Sequence, residues 1–408
     1  MPMRAATAAP VVGSKAVRSA THAKIMRATA AALAFSAAVY FLADYRQRIA
    51  SRITDRDSIA YWAAAQLLLS HEDAYDPHRV LELQQAQGYR EQKPLVLRTP
   101  PWSLWMIMWM GVLDPYWAWA AWISLLIVSL VISIRLTWRM YGTEARPPTV
   151  FILVAYLFAP VPACVVAGQL GIVLLLGIVL FLWWQERHPA LAGAALLIPF
   201  AKPHVSAVLW PVLAVWILTR RKWHMLAGFA TALAVAVALI LAIDPDVFYH
   251  YRQMVAQAAI QNEFVPALSG VVRLIFFRRF FWVQFLPLSA ALVWSGWYYW
   301  NHRANWNWRE HGPALLVVSV LTAPYAWLTD ETILLPAVLQ ALLCIFQVRK
   351  QLAARTQLTL FVFAGLNGLL LLLLRAKIPF ATGIYFWSSL VWAGWYWYAK
   401  RLTRTVNA

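Results

Sequence analysis

Charge is scarce in this chain, and acid is the scarcer half. Only 13% of the 408 residues are charged, with 35 Lys and Arg against 17 Asp and Glu. A water-soluble globule carries about a quarter charged residues, so that class is excluded. Cysteine is almost missing. Cys164 and Cys344 each lie inside an apolar run without metal-ligand spacing, which reads as packing and not as a disulfide or a zinc site. There is no internal repeat, which argues against a transporter built from two halves. No glycine-rich phosphate loop or dinucleotide turn occurs, so neither a nucleotide sugar nor a cofactor is expected. His71, His78, His204 and His250 form no pair at helical spacing, and no metal is expected.

What remains is grease with basic punctuation. The chain is 62% hydrophobic, holds 24 Trp and has a net charge of +18. Long apolar runs recur from end to end, which predicts an all-α polytopic membrane protein with Trp at its interfaces. The basic residues are scattered between those runs and not gathered on one face. They read as cytoplasmic loops meeting anionic lipid, and nucleic acid is not expected as a partner. No protein partner is legible.

About twelve spans are expected, near 28–44, 116–138, 149–167, 170–184, 190–201, 204–218, 224–243, 283–300, 313–328, 332–347, 357–374 and 382–399. A basic tail, 1–27, precedes them and resembles the start of a signal peptide; with so many later spans it reads as an uncleaved first anchor. One transmembrane domain then covers 28–400, and 401–408 is a second tail. With both termini in the cytoplasm, almost every basic loop falls inside. That holds only if the Trp- and Met-rich run Thr99 to Leu113 is re-entrant or interfacial and does not cross. The long loops at about 45–115 and 244–282 then lie outside.

The first of those loops opens with "DRDSIAYWAAAQLLLSHEDAYDP", Asp55 to Pro77. Ile59 to Leu69 is expected to form a short helix lying on the membrane or dipping into it. Asp57 would stand at its N-terminus, as a cap or as something more. The pattern Asp57-x-x-x-Tyr61-Trp62-x-Ala64-Ala65-x-x-Leu68, then Asp73-x-Tyr75-Asp76, resembles the first outer loop of glycosyltransferase family 87, which has the C-type glycosyltransferase fold. The resemblance continues in order through Pro100-Pro101, Gly168-Gln169, Ala192-Gly193, Lys202-Pro203, the basic turn Arg220-Arg221-Lys222-Trp223, Ser269-Gly270, Arg273-Leu274 and Pro324-Tyr325-Ala326-Trp327. It covers roughly residues 50 to 340.

The resemblance implies transfer of a hexose, typically mannose, from a polyprenyl-phosphate donor to a lipid or glycan acceptor. It places that inverting reaction at the outer face of the cytoplasmic membrane and makes Asp57 the base. The chain departs from the family after Trp327, where Asp330 and Glu331 stand in place of histidine.

Chemistry asks for the same residue types. An acceptor hydroxyl needs a base within hydrogen-bond reach, and a departing phosphate needs positive charge. Asp55 is a second carboxylate that would raise the pKa of its neighbour, or pair with Arg52 or Arg56. Lys202, Arg98 and Arg273 are the candidates for donor phosphate, Lys202 being also a plain snorkelling lysine whose loss should not disturb folding. Gln169, Tyr61, Asp55, Asp330 and Glu331 are candidates for sugar or acceptor, with capping of the next span the other reading for the last two. A transporter or flippase for a lipid-linked glycan, or a non-catalytic assembly partner, are the alternatives to a transferase. The mid-span stretches are nearly free of charge, which favours surface chemistry over transport.

Overall fold

The computed structural model describes residues 57–258, 265–348, 353–379 and 382–407. Asp55 and the expected first span, 28–44, lie outside them. Helix is the only regular structure among the described residues.

The order begins with α1 (Ser58–Leu69) and α2 (Pro77–Ala86), then two 3-10 helices, Pro101–Met106 and Met108–Val112. It continues with α3 (Pro115–Tyr141), α4 (Thr149–Leu157), α5 (Pro160–Ala167), α6 (Gly171–Trp184) and α7 (Pro189–Ala195). After two short 3-10 turns flanking Lys202 come α8 (Leu209–Thr219), α9 (Trp223–Ile243), α10 (Val247–Gln257), α11 (Leu268–Phe276) and α12 (Leu286–His302). Next are α13 (Trp308–Thr322), the 3-10 turn Leu328–Leu334 running into α14 (Leu335–Val348), α15 (Ala353–Arg375) and α16 (Ser388–Asn407).

Several starts are written in the sequence. Asp76 accepts from the amides of His78 and Arg79 behind Pro77, and Asp114 accepts from that of Tyr116 behind Pro115. An oxygen-bearing cap followed by proline at the first helical position is a strong helix start.

Four helical segments are long and apolar enough to cross a bilayer: Pro115–Tyr141, Trp223–Ile243, Leu328–Val348 and Ala354–Arg375. The bent pair α4 and α5 makes a fifth if it is one span. The other apolar runs are helical but broken into shorter pieces, such as α6, α7 and α8. Burial sorts the long helices. The window of Leu328–Val348 is 78% buried and forms the centre with α6, whereas that of Trp223–Ile243 is 11% buried and turns its apolar surface outward, as a lipid-facing helix does.

The bend between α4 and α5 is 44°. Breaking a helix there frees backbone groups that hydrocarbon cannot satisfy. Asn367 of α15 supplies both partners: its Oδ1 accepts from Ala159 N at 2.7 Å and its Nδ2 donates to Leu157 O at 2.7 Å. Asn367→Ala is therefore expected to cost about 2 kcal/mol, the usual penalty for stranding buried polar groups. Thermal unfolding in detergent measures this, and an unchanged midpoint would remove Asn367 from the account.

One expectation for the first loop needs correcting. The helix over Ile59 to Leu69 forms, as α1, but it does not lie on a surface: ten of its twelve residues are buried. The run Thr99 to Leu113 folds onto it. Trp62 Nε1 donates to Leu113 O at 3.0 Å and Gln66 Nε2 to Gly111 O at 2.6 Å. A helix apolar on nearly every side has no wet face to present, and it is covered by protein.

Candidate active site

The site forms where α1, the α5–α6 turn, the break around Lys202 and the turn Leu328–Leu334 meet. Asp57 heads α1, and its amide donates to Ala167 O at 3.0 Å, tying that helix to the end of α5. Its side chain makes no cap bond to α1, so the bland reading of Asp57 as an N-cap does not describe it.

Gly168 ends α5 with φ +69, a left-handed conformation that glycine adopts without strain. The turn is then held from two sides: Trp122 Nε1 donates to Gly168 O at 2.7 Å and the Cys164 thiol donates to Gln169 O at 3.1 Å. At Gly171 a Cβ would lie 2.3 Å from Thr329 O. Only glycine lets the turn Leu328–Leu334 come so close to α6.

The consequence is a string of four side chains. Gln169 Nε2 donates to Asp57 Oδ2. Gln169 Oε1 accepts from Lys202 Nζ at 3.2 Å, and the same Nζ pairs with Asp330 Oδ1 at 2.8 Å. Asp330 Oδ2 in turn accepts from the Trp327 amide at 3.1 Å. Four candidates from segments far apart in sequence thus meet. The amide is oriented by its two neighbours: its NH2 faces the carboxylate and its carbonyl faces the ammonium. An ammonium has three N–H donors, and these bonds use two of them.

Lys202 corrects one expectation. Its side chain is 15% exposed and that of Asp330 2%, so this is a buried ion pair and not a snorkelling lysine. Removing one partner of such a pair strands a charge, at a cost of about 3–5 kcal/mol. Loss of Lys202 is therefore expected to destabilise the fold.

Tyr61 stands beside the string, edge-on to Trp122 at 5.4 Å. Burial first, and then the nearby Asp57 carboxylate, hold its phenol well above the ordinary tyrosine range, so it stays a donor at neutral pH. His204, two residues past Lys202, packs edge-on to Tyr325 at 6.3 Å.

The remaining candidates sit elsewhere. Glu331 is buried and faces away from Lys202: its Oε1 accepts from Ser388 Oγ at 2.5 Å and its Oε2 from Trp392 Nε1 at 3.1 Å. It binds α16 to the turn and is not one of the four. Asp330 joins the string and also closes the 3-10 turn onto Trp327, as the capping reading expects. Arg98 is exposed on the segment leading to Pro100. Arg273 is buried, with its guanidinium over the Phe281 ring at 5.4 Å. Neither belongs to the string. Of Trp122 and Cys164, which shape the Gly168-Gln169 turn, the sequence singled out only Cys164, as a packing thiol. Among the described residues, no group of three or more His, Cys, Asp or Glu gathers in a way that would hold a metal ion.

An all-helical chain with helices fit for a bilayer, and with its buried polar side chains strung together where loops meet, is a membrane protein built around a polar site. It belongs to glycosyltransferase family 87, whose family model matches residues 99–366, well over half of the chain. The chain is therefore a glycosyltransferase. The match begins at residue 99, part-way through the first loop, so Asp57 is outside it. No curated protein matches the chain, and no solved structure does.

Proposed function

We propose that the chain transfers a hexose, mannose foremost, from a polyprenyl-phosphate donor to a lipid or glycan acceptor. Asp57 is the base that takes the proton of the acceptor hydroxyl as its oxygen attacks the anomeric carbon. The bond from that carbon to phosphate breaks, the anomeric configuration inverts, and the lipid phosphate leaves. Lys202 offers its third N–H to that phosphate, while Gln169 and Asp330 hold the ammonium in place. Tyr61 is within the same pocket of charge and donates to a sugar oxygen. The reading includes about twelve spans, a single transmembrane domain over 28–400, both termini in the cytoplasm and the site on the outer face of the cytoplasmic membrane.

One observation carries it. Asp57, Gln169, Lys202 and Asp330 belong to four separate loops that hydropathy and loop charge assign to one side, and their side chains are hydrogen-bonded in one string. A carboxylate and a cation joined in this way suit attack by a hydroxyl on a carbon bearing phosphate. The test is donor choice. The purified full chain is given polyprenyl-phosphate mannose, the corresponding glucose donor, or nucleotide sugars, each radiolabelled, with extracted membrane lipid as acceptor. Label is expected in lipid from the polyprenyl donors alone, with mannose ahead. Transfer from nucleotide sugars with none from the polyprenyl donors would overturn the reading.

A further inference from the structure

The end of α11 and the segment after it carry the run Ile275 to Trp282, "IFFRRFFW", in which two arginines are flanked on each side by aromatic residues. None of the site chemistry uses it. Ile275, Phe276, Phe280 and Trp282 are 55–70% exposed, and Arg278 and Arg279 are exposed between them. Such a surface would be costly in water, since large apolar patches are rare on soluble surfaces.

The segment continues the lipid-facing side of α12. Leu286, Val293, Trp297 and Trp300 on that helix are also exposed, Val293 at 77%. At the far end of α12, Arg303 lies over the Trp300 ring at 3.9 Å. The 17 residues of α12 rise about 26 Å at the usual 1.5 Å per residue, close to the ~30 Å hydrocarbon core. An aromatic-and-arginine belt at each end, separated by about the thickness of that core, is the arrangement of residues at two membrane–water interfaces.

The near belt is also fastened to the site. Ser269 Oγ on α11 donates to Ala323 O at 2.7 Å, and Gln284 Nε2 donates to Pro324 O at 2.5 Å. Those carbonyls begin the segment that runs through Trp327 to Asp330. Arg273 stacks over Phe281, linking α11 to the belt itself.

We propose that Ile275 to Trp282 is an interfacial clamp that binds anionic phospholipid headgroups. Its aromatic side chains enter the acyl boundary, and Arg278 and Arg279 take the phosphate oxygens. Charge complementarity selects this occupant: two adjacent exposed arginines set between exposed aromatic rings, at one end of a helix about as long as the hydrocarbon core, match lipid phosphate beside acyl chain.

Two measurements on the full chain in nanodiscs test this. In a Cys344→Ser background, with Cys164 left in place, Phe276→Cys carries a fluorescent label. The label is expected to be quenched more by lipid with a nitroxide near the headgroup than by lipid with one at mid-chain, and to be shielded from aqueous iodide. Strong iodide quenching without lipid quenching would overturn the proposal. The second compares bound phosphatidylglycerol with phosphatidylcholine for wild type and for Arg278→Gln/Arg279→Gln. The preference for the anionic lipid is expected to drop roughly fivefold for each arginine, the usual weight of one basic residue at an anionic surface. An unchanged preference, or displacement of the phospholipid by polyprenyl phosphate at equal concentration, would also overturn it.

Discussion

Asp57→Asn is expected to lower sugar transfer at least ~100-fold, the lower range for loss of a general base, while donor binding survives. Asparagine keeps the size and the hydrogen bond from Gln169 but cannot accept the proton. The effect is large because the carboxylate is already placed: Gln169 Nε2 holds Oδ2, and the amide of Asp57 is tied to Ala167. A base fixed before substrate arrives has little orientation left to lose. The measurement is single-turnover transfer from labelled donor, with donor affinity determined separately. Asp55→Asn should be far milder. If the two variants come out reversed, the base is Asp55; if both transfer at wild-type rates, Asp57 serves only to join α1 to the Gly168-Gln169 turn.

The pair Lys202 and Asp330 should separate folding from chemistry. Lys202→Ala leaves the 2% exposed Asp330 carboxylate without its cation, at an expected cost of about 3–5 kcal/mol in stability. Asp330→Ala should cost a similar amount for the opposite reason. The double variant removes both charges and should recover about 1–3 kcal/mol, the coupling usual between residues in direct contact. Stability is read from thermal unfolding in detergent. Transfer should not recover with it, because the double variant still lacks the ammonium assigned to the donor phosphate. A double variant that folds and also regains wild-type use of the donor would show that Lys202 is there for Asp330 alone.

The residue types of the site were readable before any geometry, and so was the all-helical membrane class. Loop charge put Asp57, Gln169, Lys202 and Asp330 on one side because basic residues mark the other. Their meeting was not readable. The successive bonds of the string cross 112, 33 and 128 residues of sequence, and nothing local at position 57 refers to position 169. Glu331 was unreadable in another way. Consecutive residues on a 3-10 turn point in different directions, so Asp330 reaches Lys202 while Glu331 reaches Ser388 and Trp392. The character of α1 was misjudged because an apolar run beside a membrane looks the same whether lipid or protein covers it. Hydropathy also ran together what the backbone breaks. The apolar run 190–201 is α7 followed by the 3-10 turn Pro199–Ala201, where one span was expected. The break leaves Lys202 at a bend with backbone on both sides, where its side chain can turn toward Gln169.

The spacing of the string also sets a timetable for biogenesis. Lys202 and Asp330 are 128 residues apart, and chains are synthesised at about 5–20 residues per second. For roughly 6–25 seconds at that rate, the lysine exists on the nascent chain before its counter-ion has been made. Asp57 waits longer still for the completed string. The polar centre is thus assembled last, around a carboxylate that is made first. Until Asp330 is made, the Asp57 carboxylate and the Lys202 ammonium are present without the fourth member of the string. The string cannot close before residue 330 of the 408 has been made.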